Sequence, residues 1–421
     1  MAILLTNGTY IDPETLTFSS THLLVEEGVH GKISQLNEIP ENNTSPIIDC
    51  TGKYITKSFA NGHHHVYSAL ARGMGAPRKN PENFNEILQY IWWTLDKALD
   101  LDIIRSSALV TAMACAKNGV TFVIDHHASP YAIQGSLETI AEAFEEVGVG
   151  HLLCYEISDR DGLEIARAGL EETADYLSKR PGLVGLHASF TVGHETLNQA
   201  VELARLSKSG IHIHVAEDKS DALHCFENYN QCLIDRLANA GVLDFSKTIL
   251  GHCLHLSEYE REQIAKSPVW VVQNMESNLN NSVGFFNSAG LGKRIMLGTD
   301  GMHSDMLRSA KSAFFAGHNF DQIDYSETYR RFRNVHHYLN ANNFSGDGEN
   351  NLVVIDYNTP TPFNCNNFLG HFLFGIESQQ VQHVISQGKI IVENGRLTTV
   401  NEEQILAAAR VQADRLWQKM H

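Results

Sequence analysis

Ser58-Phe59-Ala60-Asn61-Gly62-His63-His64-His65 reads as a short β-run that closes on three histidines, and it is the first of a series. From here to about residue 305, short apolar runs of β character alternate with longer segments of helical period, the pattern of strand–helix units around a parallel sheet. Eight strands are predicted, at 59–65, 121–126, 151–157, 183–189, 211–215, 248–252, 269–273 and 294–298. Apolar residues recurring at three and four place helices at 103–117, 136–147, 162–178, 195–207, 225–240 and 258–265. Eight such units, on the roughly 250-residue scale of a (β/α)8 barrel, predict an α/β fold closed as a TIM-type barrel.

Outward from the barrel, both ends of the chain are β-rich. Residues 2–11, 22–36 and 45–56 read as short strands with turns at Glu27-Gly28, His30-Gly31 and Thr51-Gly52, and 352–357, 381–386 and 389–393 do the same near the other end. The two flanks are expected to meet as one small β-sandwich. Residues 340–351, rich in Asn and Gly, read as the linker back to it. Residues 401–420 read as an amphipathic helix with Ile405, Ala408, Ala409, Leu416 and Trp417 on its apolar face. The expected division is 1–57 for the first part of the sandwich, 58–343 for the barrel, and 344–421 for the rest of the sandwich with the terminal helix.

Composition narrows the partners. The 421 residues include 32 Lys+Arg and 49 Asp+Glu, a formal charge of −17, so a nucleic-acid polymer is not expected to bind. The opening residues lack a basic, apolar leader, and no run approaches the roughly 18 apolar residues of a membrane span. Seven scattered cysteines with no Cys-x-x-Cys pair fit a reduced, cytoplasmic chain. The unusual number is 22 histidines with no His-rich tract to absorb them, so their positions carry the argument.

Active sites of such barrels lie at the C-terminal ends of the strands. Here those ends read His63-His64-His65, Asp125-His126-His127, His187, His212-Ile213-His214, His252 and Thr299-Asp300. Residues i and i+2 of a strand share a face about 6.6 Å apart, so His63 and His65 can aim into the barrel mouth while His64 points away. A third imidazole from His214 and the Asp300 carboxylate complete a nitrogen-rich set suited to one divalent metal, zinc first, with iron or manganese as alternatives. Glu217, three residues beyond His214, falls beside that metal where a carboxyl group can move protons. His127 and Arg160, at the ends of the second and third strands, are candidate substrate contacts, Arg160 for an anionic or carbonyl group. Trp92 and Trp93, in a segment of helical period, read as core.

The His63-His64-His65 stretch, His212-Ile213-His214-Val215-Ala216-Glu217, Leu250-Gly251-His252-Cys253 and Leu297-Gly298-Thr299-Asp300-Gly301 resemble the metal motifs of the amidohydrolase superfamily. Trp92-Trp93-Thr94-Leu95-Asp96-Lys97, Val123-Ile124-Asp125-His126-His127, Ser277-Asn278-Leu279-Asn280-Asn281 and Gly301-Met302-His303-Ser304-Asp305-Met306 narrow the resemblance to its SsnA-type aminohydrolases. The resemblance implies a metal-dependent deaminase that activates water and releases ammonia from an amino-substituted heterocycle such as a purine or pyrimidine. It implies His63, His65, His214 and Asp300 as ligands, with Glu217, His252 and Asp300 catalytic and His187 as a substrate contact. The fourth strand ends without the lysine or carboxylate of two-metal members, which implies one metal. The superfamily's habits imply a homo-oligomer, a dimer first. Two alternatives stay open: hydrolysis of another C–N or a C–Cl bond in a heterocycle, or a non-catalytic metal-binding relative.

Overall fold

The computed structural model describes residues 2–420. Eight parallel strands form the barrel: Phe59–His64, Val120–His127, Gly150–Ile157, Val184–Ala188, Ile211–Val215, Ile249–His252, Trp270–Gln273 and Ile295–Leu297. They are hydrogen-bonded in chain order. A parallel bridge between His64 and Asp300 brings the eighth strand back to the first, with the amides of Thr299 and Asp300 both donating to the His63 carbonyl at 3.1 and 3.0 Å. The ring closes at the residues that the sequence marks as ligands. Nearly every strand residue is buried, as expected where helices cover the outside and side chains fill the inside.

The surrounding helices begin where the sequence provides caps. Asp100 accepts from the Ile103 amide at 3.0 Å to start Leu101–Lys117, and Ser257 with Glu260 forms a reciprocal capping box at the head of Glu258–Lys266. The helix expected at 225–240 is two, Lys219–Tyr229 and Leu233–Ala240. Asn230 ends the first in the left-handed conformation, φ +51°, which Asn tolerates better than other side chains. Two long helices that periodicity does not single out, Met306–Phe320 and Tyr325–Ala341, follow the eighth strand. The second places Val335, Tyr338 and Leu339 among the inward residues of the barrel. Its fully buried Arg331 pairs with Asp321 at 2.6 Å and Glu327 at 2.7 Å.

The flanks meet, in one nine-stranded sheet. Tyr54–Lys57 pairs antiparallel with Leu352–Ile355, Lys57 opposite Leu352, and this seam joins the two ends of the chain. Ile3, Leu5 and Val25 share a core with Leu352, Val354 and Ile385. The expected linker is firmly held: Asn350 donates to the carbonyls of Glu26 and Gly28, and Asn351 to Gly346 and Thr121. The terminal helix Glu402–Met420 lies against the first long barrel helix. Lys117 pairs with Glu402 at 2.7 Å, and the Trp417 indole donates to the Leu70 carbonyl at 2.9 Å. All seven cysteines are free, and among the described residues no helix is long and apolar enough to cross a membrane.

Candidate metal centre and substrate pocket

His63 and His65 enter the barrel mouth from the same side of the first strand. His64 turns the other way, contacting the Asp300 carbonyl through Nδ1 and Ser304 Oγ through Nε2 at 3.2 Å. Asp300 itself has φ +53°, a strained backbone for a non-glycine residue, held by its amide bond to His63 and by Gly301 donating to its carboxylate at 2.9 Å.

Four side chains converge. His65 Nε2 lies 3.0 Å from Asp300 Oδ1, His63 Nε2 lies 3.5 Å from the same oxygen, and His214 Nε2 lies 3.2 Å from His65 Nε2. The tautomers decide what this means. His65 Nδ1 donates to the His126 carbonyl at 2.7 Å and His214 Nδ1 donates to the His187 carbonyl at 2.8 Å, because a carbonyl can only accept. In the neutral rings both Nε2 atoms therefore present lone pairs to one another, and the buried His63 Nε2 has no hydrogen-bond partner. A cation among these atoms satisfies all of them, and nitrogen and carboxylate donors suit a divalent transition metal. The remaining His63 nitrogen, Nδ1, is paired with His212 Nε2 at 2.9 Å, the kind of outer contact that orients a ligand.

The local field agrees. Burial lowers His63 to about 3 and holds His214 well below the ordinary histidine range. Burial also works against charge on His65, but the Asp300 carboxylate outweighs it and lifts His65 to about 9, so that without an ion a proton on His65 Nε2 takes the place between the rings and a bound cation would displace it. Burial would raise Asp300, yet His63 and His65 hold it well below the usual carboxylate range. The centre is built to keep a positive charge beside an ionised aspartate.

Glu217 and His252 flank this cluster. His252 Nε2 stands 3.5 Å from Glu217 Oε2 and 3.6 Å from Asp300 Oδ2, and its Nδ1 is held by Asn278 Oδ1 at 2.7 Å. Burial pushes Glu217 upward; His252 opposes this, Asp300 adds to it, and the Asn281 amide donates to Oε1 at 3.4 Å. The result is a carboxyl group that keeps its proton to higher pH than an exposed glutamate. Asp221, buried beneath, accepts from the Ala216 amide at 2.9 Å and so fixes the turn that carries Glu217.

A narrow pocket opens above these groups, with Leu88, Trp92 and Trp93 among its walls. Trp92 ends a π-turn, Leu88–Trp92, and Trp93 follows it; both are half-buried, packed against the core as expected, and also reach the pocket. His187 lines the pocket with Nδ1 on Thr191 Oγ1 at 2.7 Å. Arg160 also lines it, but its guanidinium is shared among Asp96, Glu156 at 3.5 Å and Asp161 at 3.0 Å, and lies over Trp93. His127 is not brought to the pocket: fully buried, it bonds Ser129 Oγ at 2.9 Å and packs against Tyr67 and Tyr155. Four site residues are not among the candidates named from the sequence. Glu156 and Asp96 stand in the pocket wall, and Asn278 and Asn281 hold His252 and Glu217.

Residues 54–391 match the amidohydrolase family. The chain belongs to that family. It is a hydrolase acting on carbon–nitrogen bonds other than peptides, and its relatives are named accordingly. The 5-methylthioadenosine/S-adenosylhomocysteine deaminase of Aquifex aeolicus is 27% identical over 415 residues, covering 93% of each chain. Among solved structures, an adenosine deaminase from Xanthomonas campestris with bound zinc superposes with a TM-score of 0.82 at 19% identity, covering 98% of each chain. The zinc-complexed atrazine chlorohydrolase of Arthrobacter aurescens gives 0.81 at 15% identity, covering 98% of this chain and all of the other. At those identities the two structures speak for the fold.

Proposed function

We propose that this chain is a metal-dependent aminohydrolase that removes an exocyclic amino group, as ammonia, from a small amino-substituted heterocycle. The observation that carries the reading is the pair of opposed Nε2 lone pairs on His65 and His214, next to a glutamate whose proton is retained by burial. His63, His65, His214 and Asp300 would hold one divalent ion. When bound, such an ion lowers the pKa of water from 15.7 to about 7 and so supplies a nucleophile near neutral pH.

The residues of the chain do the rest. Asp300 Oδ2 takes the proton of the attacking water, and His252 Nε2, 3.6 Å from that oxygen, orients it. Glu217 gives its proton to the ring nitrogen beside the carbon under attack; the amine departs with the proton taken from the water, and Glu217 recovers its own from the added hydroxyl as the carbonyl forms. His187 steadies the ring from the fourth strand, while Arg160 acts on the pocket through the carboxylates it holds. His127, which the sequence marks as a contact, supports the wall from behind through Tyr67 and Tyr155. Trp92 and Trp93 restrict water.

Zinc is the proposed metal, on the nitrogen-rich donor set, with the SsnA-type branch as the place within the family. A cytoplasmic location is supported by the seven free thiols. A homodimer is supported by Phe315, Tyr325 and Phe374, exposed by 42–57%, with the Phe374 ring in contact with both of the others. The proposed division into 1–57, 58–343 and 344–421 is supported at its first boundary by the pairing of Lys57 with Leu352. Metal analysis of the purified protein, joined to ammonia release from aminopurines, aminopyrimidines and aminotriazines, tests the reading. Release of chloride from a chlorinated ring without ammonia from any amine would replace it with the C–Cl alternative.

A further inference from the structure

Cys154 lies inside the barrel on the third strand, fully buried, and the proposed chemistry gives it no part. Gly185 of the fourth strand leaves room for it, since a Cβ there would come within 3.0 Å of its sulfur. The sulfur has two polar neighbours, the Asp125 carbonyl at 3.4 Å and His212 Nδ1 at 3.7 Å. Burial holds the thiol well above its ordinary range, so the hydrogen stays on sulfur. The row continues beyond His212, whose Nε2 is paired with His63 Nδ1 at 2.9 Å, and both of these rings are fully buried.

The single thiol hydrogen orders the whole row. The Asp125 carbonyl can only accept, so the thiol donates to it. Sulfur that has given its hydrogen can only accept, which calls for a hydrogen on His212 Nδ1. A neutral His212 with that hydrogen offers a lone pair at Nε2, and His63 must then donate from Nδ1. His63 Nε2 is left with its lone pair facing the centre, 3.5 Å from Asp300 Oδ1. In the opposite order His63 Nε2 carries the hydrogen, His212 Nε2 donates to His63 Nδ1, and the thiol turns to His212 Nδ1. That order gives up the bond to Asp125, and it closes the lone pair that a metal needs.

Resting on the metal reading above, we propose that Cys154 is a positioning residue for the metal centre: acting through His212, its thiol holds the hydrogen of His63 on Nδ1 and keeps His63 Nε2 open before any ion arrives.

Nitrogen NMR of the metal-free protein with labelled histidine reads the row directly. Scalar coupling across an N–H···N bond joins a δ to an ε nitrogen in the His63–His212 pair, whereas His65 and His214 meet through two ε nitrogens. The hydrogen is expected on the δ nitrogen of the mixed pair, and a hydrogen on its ε nitrogen overturns the proposal. The unmodified protein decides this without any variant. Cys154→Ala should shift that hydrogen toward the ε nitrogen and weaken metal affinity, measured by competition with a chelator, by about 10-fold, the lower end of what loss of an outer partner costs. Cys154→Ser shrinks the side chain about as much but keeps a hydroxyl in the row, and should lose less. Equal losses in the two variants with the hydrogen unmoved would show that Cys154 only fills space, and would overturn its role. A hydrogen on the δ nitrogen in a protein that takes up no metal would uphold the row and remove the metal reading.

Discussion

His65 Nε2 and His214 Nε2 face each other across 3.2 Å, although each ring has already given its Nδ1 hydrogen to a backbone carbonyl. Two lone pairs at that distance repel unless something positive lies between them. The carbonyls belong to His126 and His187, at the ends of neighbouring strands, so the barrel's own hydrogen bonds choose the tautomers that make these rings ligands.

The outer contact on His63 should therefore matter to metal retention. His212→Ala removes the Nε2 that pairs with His63 Nδ1 at 2.9 Å. Loss of such an orienting partner typically weakens metal affinity by 10- to 100-fold. Competition with a chromophoric chelator measures this, and an unchanged affinity would show that packing alone fixes the His63 ring.

Glu217→Gln should keep the metal and lose turnover. The amide occupies the same space but cannot deliver a proton, and removal of a general acid–base group costs roughly 10²- to 10⁴-fold in rate. Elemental analysis and ammonia release on the same preparation read both halves. A variant that loses its metal would mean that Glu217 holds the centre together instead of serving the chemistry.

The pH profile carries a signed expectation. Glu217 works in its protonated form, so activity should fall as pH rises through its raised pKa. Asn281 donates to Glu217 Oε1 and stabilises the ionised form, which lowers that pKa. Asn281→Leu removes the donor and should move the alkaline limb of kcat to higher pH. Movement toward lower pH would contradict the assignment of that limb to Glu217.

Much of this was legible in the chain. The eight barrel strands fall within a few residues of where short apolar runs put them, because burial on both faces makes each run apolar and turn residues bound it. The ligands were legible for the same reason in reverse, since His63, His65, His214 and Asp300 are polar residues ending such runs. Glu156 ends one too, between Tyr155 and Ile157, and the same reasoning applied to the third strand reaches it. Asn278 and Asn281 are another matter. They sit on the short helix Met275–Asn280 and just beyond it, where asparagine ordinarily signals a loop. Arg160 was readable as a pocket residue, but its partner Asp96 lies 64 residues earlier and meets it only through the fold.

That pairing supports the last expectation. Arg160, with a side chain 8% exposed, is the cation that Asp96 and Glu156 share, and its guanidinium lies 5.1 Å from the Trp93 ring. Arg160→Ala leaves two buried carboxylates short of their counter-charge, and breaking a buried pair in this way costs about 3–5 kcal/mol. Burial already pushes Asp96 up to about 7 against the opposing pull of Arg160, so without Arg160 its pKa must rise further. A carboxyl group whose folded pKa exceeds its unfolded value loses stability as pH rises, until the folded form ionises. In the unmodified protein that loss levels off near pH 7, whereas in the variant it continues. The stability deficit measured by urea unfolding should therefore be larger at pH 9 than at pH 6. Quenching of tryptophan fluorescence by acrylamide should rise in parallel as Trp93 loses the guanidinium over its ring. A deficit of the same size at both pH values would mean that Arg160 stabilises the wall by packing, without regard to the charge on Asp96.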